Sequence, residues 1–134
     1  MEYRMTMSMG KTLPDVDNPT PEMITQAIDN LIPALYHFII VGTNEYVQNC
    51  AFVQTAMEAN DKGKIRYMVE AGFFPAEERK MFRRYTADAN EVKKIFHLYL
   101  SGIIPDISRW KDVTEEIFFP DKKKKGRKGL GKSV

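Results

Sequence analysis

Between Cys50 and Ala71 two apolar-rich segments flank the turn Asn60-Asp61-Lys62-Gly63, and this stretch restricts the possible folds more than any other. Its apolar residues recur with period 2, the repeat that sends successive side chains to opposite faces of a strand. Asn, Asp and Gly suit the turn because they accept a positive φ at low cost. If Asn60 to Gly63 form a four-residue loop, Ala59 pairs with Lys64. Phe52, Gln54 and Ala56 then lie beside Ile65, Tyr67 and Val69 on an apolar face. The other face carries Val53, Thr55 and Met57 beside Arg66, Met68 and Glu70, a mixture that can remain wet in an antiparallel sheet. A shift of one residue would exchange the faces of one strand.

Strands and helices extend from this hairpin in both directions. Met5, Met7 and Met9 alternate with Thr6 and Ser8, and the pattern starts at Met1 and Tyr3, which predicts an optional N-terminal strand. Gly10 to Pro19 reads as a connector. Thr20-Pro21-Glu22 is a helix start, followed by Ile24, Ala27, Ile28 and Leu31 on one face, with Pro33 as the stop. Tyr36 to Val41 is a β-rich run, and Gly42 to Glu45 is expected to turn. Arg79 to Thr86 supplies a fourth main strand. Pairing Glu70 with Arg79 would put Phe82 on the core face and Arg79, Met81 and Arg83 on the mixed one; in either parity Arg66 gains an arginine neighbour. Asp88 and Glu91 launch a second helix, with Val92, Ile95, Phe96, Tyr99 and Leu100 as its buried stripe and Gly102 as its stop.

The expected fold class is therefore α+β: a small single domain in which an antiparallel sheet of four strands, or five with the N-terminal one, carries two helices on one face. Residues 1–19 form the strand or leader and connector, 20–120 the domain, and 121–134 a tail. A chain of 134 residues suffices for a core without disulfides or metal. No apolar run is long enough for a membrane helix and the N-terminus has no signal-peptide core, so the reading is a cytoplasmic protein with no membrane partner. Trp110 reads as a packing anchor, and Cys50 as a small buried hydrophobe.

The net charge of +2 conceals an asymmetry. Lys122, Lys123, Lys124, Lys125, Arg127, Lys128 and Lys132 oppose Asp121 alone in the tail, a balance of +6 that leaves −4 on residues 1–120. Such a tail is expected to be disordered and to attract nucleic-acid phosphates without sequence preference. It also spells a P-loop pattern, Gly126 followed by Gly131-Lys132-Ser133, without the strand and helix that give the motif its chemistry.

Candidates for catalysis are few. His37 and His97 lie far apart and in no metal-ligand spacing, no nucleophile signature is present, and Glu115 and Glu116 read as solvated acids. No metal, cofactor or catalytic residue is assigned, and no enzyme is expected. The mixed sheet face combines Met with Arg, residue types that protein interfaces favour over Lys. It makes Val53, Met57, Arg66, Met68, Arg79, Met81 and Arg83 the candidate contacts of a protein-binding module of the inhibitor, immunity or adaptor type. The alternative is a nucleic-acid-associated protein that uses its tail.

Overall fold

The computed structural model describes residues 4–10, 13–34, 37–75 and 78–118. The tail lies outside them, and so do Met1, Tyr3 and the expectations that rested on those residues. The described chain forms an antiparallel sheet of seven strands, β1 Met5–Met9, β2 Val16–Asp17, β3 Phe38–Val47, β4 Cys50–Ala59, β5 Ile65–Phe73, β6 Lys80–Thr86 and β7 Lys111–Asp112, in the order β2-β1-β3-β4-β5-β6-β7. Three helices join it: α1 Pro21–Asp29, α2 Ala89–Leu100 and α3 Thr114–Phe118. The α+β class holds, but four or five strands and two helices undercount it. β2 and β7 are two residues long, too short to show a repeat, and α3 is a single turn and a half.

Local chemistry explains the helix ends. Thr20 Oγ1 accepts the Met23 N–H at 3.2 Å with Pro21 opening α1, and the Asp88 carboxylate accepts the Asn90 N–H at 2.9 Å to open α2. Gly102, at φ 89, closes α2 by returning its N–H to the Tyr99 carbonyl. α1 stops at Asp29, short of Pro33, because Asn30 caps it.

The central hairpin corrects the expected register. Ala59 pairs with Ile65, not Lys64, so Thr55 faces Val69 and Val53 faces Ala71. The cause is a loop one residue longer than expected. The Asn60 side-chain oxygen accepts the N–H groups of Lys62 and Lys64 at 2.9 and 2.8 Å, and Gly63 turns at φ 77 where a Cβ would be strained. β4 therefore presents the opposite face to that expected, while β5 keeps Tyr67 and Val69 on the core side. Cys50 still reaches the core, because the register shifts between Cys50 and Phe52.

Residues directly opposite in neighbouring strands share a face. The covered face is built from Met7, Val41, Val53 and Ala71 in one row and Met9, Ile39, Thr55 and Val69 in the next. Ile24 and Ile28 of α1 and Val92, Phe96 and Tyr99 of α2 complete one core with them. The buried Thr55 hydroxyl donates to the Met68 carbonyl at 2.9 Å, and the Tyr99 hydroxyl to the Cys50 carbonyl at 2.9 Å, so neither polar group is stranded. α1 and α2 are tied by Lys93–Asp29 at 2.7 Å and by His97, whose Nε2 lies 3.1 Å from both Thr25 Oγ1 and the Pro21 carbonyl. β3 continues through the Gly42–Glu45 segment expected to turn, although its register to β4 shifts between Gly42 and Val47; the reversal is at Gln48 and Asn49, both at positive φ.

Candidate functional site: the open face of the sheet

With α1 and α2 on one side, the other side of the sheet presents three parallel rows of side chains. The first is apolar: Phe38, Ala56, Met68 and Tyr85, partners in successive strands and all partly exposed. The second starts at Ile40 and is polar from there on: Gln54, Glu70, Arg83 and Lys111. The third runs through Gly42, Phe52, Gly72 and Met81. Here the Phe52 ring reaches Gly72, where a Cβ would stand 2.5 Å from it, so a larger residue would displace the ring.

The polar row is a closed network. Glu70, 3% exposed, bonds the Arg83 guanidinium at 2.6 and 2.7 Å and accepts from the Gln54 amide. Arg83 also lies 3.6 Å from Glu116 of α3, which Lys111 approaches at 3.2 Å. Burial opposes the Arg83 charge, but the hydrogen bond and negative charge of Glu70 outweigh it and hold the guanidinium above its ordinary value. α3 is held at the β6 edge by this network, by the Met81 N–H donated to Thr114 Oγ1 at 3.0 Å, and by Phe118, which meets Phe74 edge to face. Asp112 caps the start of α3; the Thr114 hydroxyl and N–H both donate to its carboxylate and hold it below the usual range.

The expected contact residues are divided by this arrangement. Arg66, Met68, Met81 and Arg83 share the open face, although Met81 is buried there. Arg79, in the loop before β6, lies over the rings of Phe74 and Phe118 at 5.5 and 5.6 Å. Val53 and Met57 are on the other face, Val53 fully buried beneath the helices, a consequence of the one-residue register change. Arg66 has no arginine opposite it: its guanidinium pairs with Glu58 at 3.1 Å and stacks on the Tyr85 ring at 3.6 Å. Phe38 and Tyr85 were missed; the odd-numbered run Met81, Arg83, Tyr85 carried the signal for Tyr85, since all three share a strand face.

Both edges of the sheet are blunted. β2 covers Thr6 and Met7 of β1, β7 covers Phe82 and Arg83 of β6, and the Val113 N–H takes the Met81 carbonyl at 2.8 Å. Among the described residues no group of three His, Cys, Asp or Glu side chains is placed to hold a metal, and no helix is long and apolar enough to cross a membrane.

Cys50 lies beneath the helices, away from the open face. Burial pushes its thiol from an ordinary 9.0 up to about 12, and the S–H donates to the Phe52 carbonyl at 3.5 Å. Because the folded thiol keeps its proton to higher pH than the unfolded one, its contribution to stability declines as pH rises from 9 towards 12. At pH 8 the native thiolate population falls about a thousandfold, so iodoacetamide should label native protein at least ~100-fold more slowly than denatured protein, as mass spectrometry would read. Comparable labelling rates in the two states would show Cys50 to be accessible.

Comparison with protein-family models, with curated proteins and with solved structures gave no match. The functional reading rests on the residues of this chain.

Proposed function

We propose that this protein is a small non-catalytic protein-binding module, of the inhibitor, immunity or adaptor kind, and that its partner docks on the open sheet face. The row Phe38-Ala56-Met68-Tyr85, with Arg66 stacked on Tyr85, carries this reading. Aromatic residues, Met and Arg are enriched in protein interfaces, Tyr and Arg in their hot spots, and here they stand on a sheet. The stacked guanidinium is pre-oriented, so little side-chain entropy remains to be lost on docking. Strand addition is the common alternative for a β protein, but two-residue strands occupy both edges here, which favours the face.

The test compares a partner captured by the immobilised protein with its binding to Met68→Asp/Tyr85→Asp. We expect at least a ~30-fold loss of affinity, about 2 kcal/mol, the size of one hot spot. Lys62→Glu, at the hairpin tip, should bind as the parent does. Thermal melts of all three proteins control for folding. Equal affinity of the double variant and the parent would remove this face as the docking surface.

A further inference from the structure

A separate cleft opens on the other side of the molecule, between the outer flank of α2 and the segment that follows it. Its volume is about 320 Å³, within the lower range of small-molecule sites, roughly 300–1,000 Å³. Ile95 and Leu98 of α2 form one wall, Ile104 and Pro105 another, and the Trp110 indole completes it. Trp110 packs against the core through part of its surface, so it is an anchor as expected, but it also lines this cavity. An indole among aliphatic side chains offers the flat, apolar wall on which a small ring packs.

Four charged groups line the cleft, and three are engaged. Arg84 pairs with Glu91 at 3.2 Å, and Glu91 also accepts from the Thr86 hydroxyl. The Asp106 carboxylate accepts the Ser108 N–H at 3.1 Å, which with a bond from the Ser108 side chain holds it below the usual range. Lys94 makes no ion pair among the described residues. Asp106 stays ionised, with Arg109 as the nearby opposite charge, so of the four it is the Lys94 ammonium that has no partner among the described residues, and a carboxylate is its complement.

We propose that this cleft binds a small aromatic carboxylate, its ring against Trp110 and its carboxylate on Lys94. The site is distinct from the open sheet face, so a protein partner there and a ligand here stand or fall separately.

The chain contains a single tryptophan, so its emission reports directly on the cleft. The experiment titrates the full-length protein with 3-phenylpropionate, 3-phenylpropan-1-ol and 3-phenylpropylamine, exciting the red edge of the indole band where phenyl rings do not absorb. Free N-acetyltryptophanamide controls for solvent effects. A ligand of this size is expected to saturate with Kd on the order of 1 mM. The alcohol and the amine should bind about tenfold more weakly or not at all, and Lys94→Gln should reduce the acid to the level of the alcohol. Equal binding of the three probes would overturn the charge assignment. No saturable change up to ~10 mM would overturn the site. Should Lys94→Gln fail to fold, the acid and alcohol on the parent protein still decide.

Discussion

Val53→Asp is expected to unfold the domain, with a loss of more than about 4 kcal/mol, whereas Met68→Asp should change stability by less than about 1 kcal/mol. The two residues are both apolar and lie on adjacent strands, but they occupy opposite faces of the sheet. Val53 is fully buried between Val41 and Ala71 under the helices, where a carboxylate would find neither water nor a cation. Met68 is partly exposed in the open row, and an acid there would stand near Arg66 and Tyr85 at the water boundary. Urea unfolding of the two variants beside the parent checks this. A stable Val53→Asp with an unfolded Met68→Asp would mean that the two faces are assigned the wrong way round.

Glu70→Ala should cost about 3 kcal/mol, the lower end of the range for breaking a buried ion pair. Glu70 is 3% exposed and Arg83 only 19%, so removal of the carboxylate leaves a guanidinium that water reaches poorly and a Gln54 amide without its acceptor. Glu116 at 3.6 Å compensates in part, which is why the upper end of the range is not expected. Replacing both partners, as Glu70→Leu with Arg83→Met, removes the stranded charge as well as the bond. That double variant should recover to within about 1 kcal/mol of the parent in urea unfolding. A loss below about 1 kcal/mol for Glu70→Ala alone would show that the network is solvent-like and not part of the rigid platform.

Features set by a few neighbouring residues were legible in the sequence. Thr20-Pro21, Asp88 and Gly102 mark helix ends because capping is decided within one turn. The alternation at Met5, Met7 and Met9 marked β1 for the same reason. The sequence left two parities open for β6, and the structure takes the one that goes with the Arg79 pairing: Glu70 meets Arg83, four residues on, and an even shift preserves the faces. What escaped the reading was decided by single residues with long-range consequences. Asn60 adds one residue to a loop by bonding two N–H groups, and that one residue inverts β4, moving Val53 into the core and Phe52 out over Gly72. The candidate site inherits the same limit. Its Met and Arg character was visible along β5 and β6, but the row that joins Phe38 to Tyr85 across four strands exists only once every register is known.

The place of β1 in the sheet bears on how the sheet assembles. β1 lies between β2 and β3, and its longer ladder is to β3, with Met5 opposite Thr43, although α1 separates the two in the chain. β3, β4 and β5 each pair with the next strand along the chain through a short connection, so those loop closures are inexpensive in entropy. β1 therefore has only the two-residue β2 as a local partner until the longer loop around α1 closes and brings β3 beside it. The β1–β3 ladder is thus expected to close on a β3–β6 meander that is already paired, which then serves as its template.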